Sequence, residues 1–427
     1  MVYLEEGGYT MGITEILKIT GIVLSMLLSV CYLYQVVYLF IPFFKKEKSL
    51  KGVKQHKFAF LIAARNEEEV LPHLLHSIRA QDYPPELLSV FVVADNCTDR
   101  TFDAAVEAGA IVYRRENKEQ IGKGYALNFL LEKIDRDYGC DCFDGFFVFD
   151  ADNLLEPDYV TKMNQCFGSG YEIVASYRNS KNFCDNWVSC GNALWFLHES
   201  IHLNRSRMLL GTSCAVSGTG FLFSRSVLKR QQGWNFFLLT EDIEFTTDNI
   251  IHGQKIGYCH SAVFYDEQPT SFVQSFRQRA RWLKGGIQVY LKYGRRLSRG
   301  ILTNKGNRFA CFEMSSISLP GYGASAAVMF INFIIGALCY GDHGFLLILL
   351  GSFISSYFSM FAIGALTMFT QWKKIYAAPG KKIGYLFTFP LFMMTYVPVA
   401  VYALFGKIEW KPIKHSRAVS LSSVSRR

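Results

Sequence analysis

The sequence contains no Cys-x-x-Cys pair, no internal repeat and no low-complexity stretch apart from a Ser-rich tail beginning at Ser420. The first absence matters because eleven cysteines, Cys140 and Cys142 among them, would otherwise suggest a disulfide framework or a zinc site. Scattered through helix-like and strand-like runs, they read as reduced thiols in a cytosolic setting. No basic stripe carries interleaved aromatics, which excludes nucleic acid as a partner. The net charge of +9 gathers instead near the ends of apolar segments, where anionic lipid headgroups would meet it. The amino terminus lacks a basic start and a small-residue cleavage pattern, so the first apolar run is not a cleaved signal peptide.

What is present divides the 427 residues into blocks. Half are hydrophobic, concentrated at 13–44 and 309–406, with ordinary globular composition between. Residues 1–12 read as an external tail and 13–44 as a transmembrane anchor. Lys45, Lys46, Lys48, Lys51, Lys54 and Lys57 follow it, which by the positive-inside rule places the domain at 45–270 in the cytosol. Residues 271–308 form amphipathic interface helices. The block 309–406 offers about three spans, near 321–340, 345–370 and 384–406, with a tight external turn at Asp342-His343 and a cytosolic linker at 371–383. A basic tail, 407–427, then falls outside against the charge rule, so 309–320 is an extra membrane element or the segment with Pro390 and Pro398 is re-entrant.

Within the middle block, apolar runs at 58–64, 89–95, 110–114 and 145–152 alternate with helical stretches. Such alternation predicts a parallel, doubly wound α/β sheet. Ala262 to Asp266 reads as an edge strand. Three strands end in polar groups: Arg65-Asn66-Glu67, Asp95, and Asp150-Ala151-Asp152. The carboxyl ends of parallel strands are where open sheets bind ligands, and paired carboxylates there suit a divalent cation shared with substrate phosphates. The small-residue passage Val216 to Phe221 lets a ligand approach backbone.

Together with Thr240-Glu241-Asp242 and Gln278-Arg279-Ala280-Arg281-Trp282, this ordered set resembles the membrane-bound family 2 glycosyltransferases, the branch of cellulose, hyaluronan and poly-N-acetylglucosamine synthases. The likeness covers roughly residues 58–295 and the flanking spans in general layout. It implies a GT-A fold, a Rossmann-like doubly wound domain, beside an α-helical transmembrane bundle. By position it assigns Ala64, Glu67 and Asp95 to the nucleotide, with Lys123 nearby. Asp150 contacts the nucleotide or donor sugar, Asp152 holds Mg²⁺ or Mn²⁺, and Asp242 is the catalytic base. Thr240, Glu241, Gln278, Arg281 and Trp282 serve the diphosphate and acceptor.

The implied activity is inverting, processive transfer from a UDP-sugar, first a cellulose-like or mixed-linkage β-glucan exported through the membrane. Poly-N-acetylglucosamine synthesis and single transfer to a lipid carrier are the alternatives, and a silent scaffold the last. The partners implied are the UDP-sugar, the growing polysaccharide and the lipid bilayer, with a homo-oligomer or an export partner left open. The sequence departs from the family where Ala94-Asp95-Asn96 replaces Asp-Asp-Gly, and no long Phe-x-Val-Thr gating loop follows Trp282. Arg279 and Lys284 read as headgroup contacts, Asp99 as a turn residue, and His198, His202 and His252 as packed or surface side chains.

Overall fold

The computed structural model describes residues 7–47, 53–409, 415 and 417–425. The expectations placed on residues 1–6 and on Lys48, Lys51, Lys411 and Lys414 lie outside them. Helix α1 (Gly7–Phe44) leads into β1 (Phe58–Ala64), α2 (Leu71–Arg79), β2 (Leu88–Asp95), α3 (Thr101–Glu107), β3 (Ile111–Arg115) and α4 (Lys123–Tyr138). Then come β4 (Gly145–Asp150), β5 (Leu154–Leu155), α5 (Tyr159–Gly168), β6 (Ile173–Ser180), α6 (Trp187–His198), α7 (Arg205–Leu210), β7 (Phe221–Ser224), α8 (Arg225–Arg230), α9 (Glu241–Ile251) and β8 (Ile256–Asp266). Last are α10 (Phe272–Thr303), α11 (Arg308–Ser316), α12 (Leu319–Thr370), α13 (Pro379–Met394), α14 (Tyr396–Phe405) and α15 (Leu421–Ser425).

The strands form one eight-stranded sheet in the order β3-β2-β1-β4-β7-β6-β8-β5. Its first half, β3 to β4, is parallel, as the unbroken apolar strands and intervening helices require. The second half is mixed, because β7 runs antiparallel to both β4 and β6. The expected edge strand is longer than 262–266 and lies inside the sheet, between β6 and the two-residue β5, which takes the edge. One apolar layer packs α4 and α6 on one face, with Phe91, Leu127, Phe146 and Leu194 buried; the other packs α2 and α5, with Phe60, Leu74, Phe149 and Val160.

Among the described residues three segments are long and apolar enough to cross a membrane, Glu15–Phe44, Phe345–Thr370 and Pro379–Phe405, with Gly323–Cys339 a shorter apolar helix. Residues 7–12, expected in the tail, already belong to α1. The rings of Phe333 and Phe345, both within α12, lie 4.3 Å apart. Twelve residues of straight helix would separate them by about 18 Å, so the chain reverses between them into a hairpin of two apolar limbs. The stretch 309–320 is no further span: α11 buries Ala310, Cys311 and Met314 against Ile250 of α9 and Leu297 of α10.

Two buried arginines tie the apolar helices to the globular domain. Arg207 and Glu313 form a buried pair at 2.8 Å, and Tyr38 of α1 donates to the other Glu313 oxygen at 3.2 Å. Arg279, expected at lipid headgroups, is fully buried instead. Its guanidinium donates to Thr395 Oγ1 at 2.7 Å and lies over the Phe392 and Tyr396 rings, clamping α10 to α13 and α14.

Candidate active site

All twelve residues singled out from the sequence line a single cavity of about 610 Å³. They are Ala64, Glu67, Asp95, Lys123, Asp150, Asp152, Thr240, Glu241, Asp242, Gln278, Arg281 and Trp282. The parallel order explains why: β1, β2 and β4 are neighbours, so the turns after their carboxyl ends share one edge.

Two of those turns depend on asparagines in the left-handed region, which Asn tolerates better than most residues. Asn66 has φ 57° and accepts a hydrogen bond from Thr98 N at 2.8 Å. Asn96 has φ 52°, so it supplies the backbone for which the family's glycine is suited, and the Ala94-Asp95-Asn96 departure leaves the turn intact. Its Oδ1 accepts from Asn117 N at 2.9 Å. Asp95 is buried and paired with Arg115 at 2.6 Å. Asp99 is a turn residue as expected, its Oδ1 accepting from Thr101 N at 3.0 Å.

The β4 acids separate in environment. Asp150 is ion-paired with Lys123, whose ammonium also donates to Gly218 O at 2.7 Å. Asp152 is buried; its Oδ2 accepts from Glu267 N at 2.7 Å. Burial works against its anion, but His415 and Lys181 outweigh that and hold the carboxyl below its usual range. Among the described residues no three His, Cys, Asp or Glu side chains close around one point. What the edge offers a cation is therefore a pair of carboxylates, a donor set that a shared diphosphate would complete.

The amino terminus of α9 lines the same cavity. Burial raises the carboxyls of both Glu241 and Asp242, and the neighbouring Asp242 helps push Glu241 up to about 7. Helix α10 reaches them by close approach: a Cβ at Gly285 would fall 2.4 Å from Thr240 Oγ1. This contact brings Gln278, Arg281 and Trp282 over the crevice. Gln278 Oε1 and Thr240 Oγ1 are buried without hydrogen-bond partners, as expected of groups awaiting a ligand.

Sequence reasoning missed several cavity residues. Glu199 opens a six-residue π-helix, Glu199–Asn204, between α6 and α7, and burial raises its carboxyl although Arg178 opposes this. Arg178 is bound to Asp266 at 2.6 Å and lies 3.5 Å over the Phe196 ring. His415, in the tail, bonds Glu67 at 2.9 Å. The π-helix is a single-turn widening of the kind found at functional sites, but no residue pattern announced it.

The fold and site define a glycosyltransferase: the family described as "Glycosyltransferase like family 2" matches residues 56–285, and the chain belongs to it. Among its relatives, the chain is 28% identical over 242 residues to a "Beta-monoglucosyldiacylglycerol synthase" of Synechocystis sp., covering 55% of this chain and 49% of that protein. It is 25% identical over 269 residues to a "Poly-beta-1,6-N-acetyl-D-glucosamine synthase" of Staphylococcus epidermidis, covering 58% and 61%. The chain thus spans about half the length of the curated relatives it matches. Its fold is that of the mannosyltransferase PcManGT from Pyrobaculum calidifontis, solved with GDP-Man and Mn²⁺, at TM-score 0.58 and 17% identity over 92% of this chain and 99% of that one.

Proposed function

We propose that this enzyme transfers a hexose from a UDP-sugar to a hydroxyl acceptor at the membrane with inversion, its α/β domain facing the cytosol. The observation that carries this reading is that Asp242, Asp150 and Asp152 line one cavity. Asp242 takes the proton of the acceptor hydroxyl, a poor nucleophile at neutral pH, which is worth about 10²–10⁴ in rate. Arg281 and Lys123, which line the same cavity, stabilise the negative charge developing on the departing diphosphate more in the transition state than before. Trp282 offers an aromatic face to a sugar ring. Asp152, with Asp150, would hold Mg²⁺ or Mn²⁺, which supplies charge neutralisation at the diphosphate. Single displacement converts an α-linked donor into a β-linked product.

The basic residues Lys45, Lys46, Lys54 and Lys57 after α1, with the three apolar segments, support a multi-pass protein of the cell membrane whose catalytic domain is cytosolic. For the product, the Gln-x-x-Arg-Trp helix supports a polymer: a cellulose-like or mixed-linkage β-glucan from UDP-glucose first, poly-N-acetylglucosamine second. A glycolipid is favoured by a different observation, the aliphatic side chains Ile243, Ile287, Leu297, Met314 and Ile317 among the cavity's lining. The names of the relatives include both kinds of product.

The test is release of UDP by the detergent-purified chain from radiolabelled UDP-glucose and UDP-N-acetylglucosamine, with and without Mn²⁺ or Mg²⁺. Metal-dependent release from one of the two donors, lost in Asp242→Asn, is the expected result. No release from either donor rejects the reading.

A further inference from the structure

Gly218 stands close both to the donor-contacting acid and to the base. Its carbonyl accepts from the Lys123 ammonium at 2.7 Å, and that ammonium is ion-paired with Asp150. A Cβ built on Gly218 would lie 3.8 Å from Asp242 Oδ2. Transfer requires the anomeric carbon to sit between the diphosphate, at Asp150 and Asp152, and the hydroxyl that Asp242 deprotonates. The transferred sugar therefore passes Gly218, where the chain has no side chain to obstruct it.

Glu199 belongs to the same neighbourhood and has no part in the chemistry described so far. Glu199, Ser217 and Gly218 all line the cavity. The Ser217 hydroxyl and the Arg178 guanidinium both favour the Glu199 anion, and Arg178 Nη1 donates to Ser217 O at 3.2 Å. Backbone ties hold this arrangement. Asn204, which closes the π-helix that Glu199 opens, bonds Ala215 in both directions: its Oδ1 accepts from Ala215 N at 3.1 Å, and its Nδ2 donates to Ala215 O at 3.2 Å. Val216 N donates to Thr246 Oγ1 at 3.1 Å, on the helix α9 that carries Asp242. The π-helix, the Gly218 passage and the base are thus stitched into one frame, which is what a specific polar contact needs.

An acid in this place selects its ligand by charge. Glu199 repels a diphosphate, whereas a sugar hydroxyl is neutral and donates to it. A carboxylate offers about four acceptor positions, so its contact with Ser217 leaves room for a hydroxyl. Arg178 is itself held by Asp266 at 2.6 Å and by Ser217 O, which keeps its charge in place to support the accepting anion.

We infer that Glu199 is a specificity-determining residue of the transfer, accepting a hydrogen bond from one hydroxyl of the donor's hexose as that ring passes Gly218. This deepens the transferase reading above and rests on it. The bond is made to the sugar alone, so Glu199 distinguishes the sugar nucleotide from the UDP that leaves.

The test is calorimetric binding to the full-length chain in detergent micelles with Mn²⁺. The ligands are UDP, UDP-glucose and the monodeoxy analogues of UDP-glucose, one for each sugar hydroxyl, with the corresponding series of UDP-N-acetylglucosamine where that is the donor released. Expected in Glu199→Ala is a loss of affinity for UDP-glucose of about 10- to 100-fold, the worth of a hydrogen bond to a charged group, with UDP bound as before. One deoxy donor should bind the unaltered chain as weakly as UDP-glucose binds the variant, and should lose nothing further in the variant. Glu199→Gln, which keeps an acceptor oxygen without the charge, should fall between. Equal weakening of UDP and UDP-glucose would show a purely structural role and overturn the inference. So would an unchanged affinity for UDP-glucose, or deoxy penalties that are the same with and without the Glu199 carboxylate. All three of these results leave the transferase reading standing, because the unaltered chain still binds UDP. If the unaltered chain binds neither UDP nor UDP-glucose, the transferase reading fails and the inference with it.

Discussion

His415 Nδ1 stands 2.9 Å from Glu67 Oε1, although they are 348 positions apart and the apolar helices α12, α13 and α14 lie between them in the chain. The tail is anchored beside this pair: Arg417 N donates to Glu267 Oε2 at 3.0 Å, its guanidinium is paired with Asp185, and Val424 packs with Leu154 and Tyr265. A histidine cation therefore occupies the acid-rich rim where Asp152 stands.

Burial disfavours the His415 cation, but Asp152 and Glu67 outweigh it and raise the group from 6.5 to about 10. Because the folded value lies above the unfolded one, this stabilisation of the docked tail is complete below pH 6.5 and is lost as pH rises through about 10. Tail amides should then exchange faster than their intrinsic pH dependence predicts. Mn²⁺ at neutral pH should compete with the imidazolium for the same acids. Trypsin cleavage after Arg417 should accelerate on adding Mn²⁺, and in His415→Ala should be fast without it.

Asp242 and Glu241 should set the acidic limb of the pH–rate profile. Burial raises both carboxyls, Glu241 up to about 7, so the base Asp242 loses its anionic form above the usual carboxylate range. The rate of UDP release should therefore fall on acidification before the pH range of an ordinary carboxylate is reached. Replacing Glu241 with Gln removes the neighbouring anion and should move that limb to lower pH. Replacing Asp242 with Asn should lower kcat by about 10²–10⁴ across the whole range.

Asp152 should be separable from its structural role. An Asn at this position can still accept the hydrogen bond from Glu267 N, so the fold should persist. What it loses is the charge. Mn²⁺ with UDP should raise the melting temperature of the unaltered protein and leave that of Asp152→Asn unmoved, as measured by a thermal-shift assay in detergent.

The Arg207–Glu313 pair should behave as a buried ion pair that is costly to break and cheap to remove. Arg207→Met alone strands the Glu313 carboxylate and should cost about 3–5 kcal/mol, read by chemical denaturation. Adding Glu313→Leu should recover most of that loss. A deficit persisting in the double variant would mean that the Tyr38 and Asn204 hydrogen bonds, not the pair, carry the effect.

Much of the crevice was legible because strand ends announce themselves. Phe58–Ala64, Leu88–Asp95 and Gly145–Asp150 are apolar runs closed by polar turns, and in a parallel sheet those ends must gather at one edge. The antiparallel insertion of β7 was not legible, since Phe221–Ser224 is four buried residues whose direction no periodicity records. Arg279 was misread for a related reason. On an amphipathic helix an arginine beside Arg281 and Lys284 looks like part of a basic face, and only the packing of Phe392 and Tyr396 over it reveals a clamp.

The sequence by itself determined the class of enzyme, because Asp-Ala-Asp, Thr-Glu-Asp and Gln-Arg-Ala-Arg-Trp, in one order on an alternating α/β chain, carry the resemblance to the family that matches residues 56–285. Tertiary structure decided which charges meet: Arg115 with Asp95, Lys123 with Asp150, Arg178 with Asp266 and His415 with Glu67. Pattern reports what each residue can do within its own element, whereas these pairings join side chains from 20 to 348 positions apart, and only the folded chain fixes such distances.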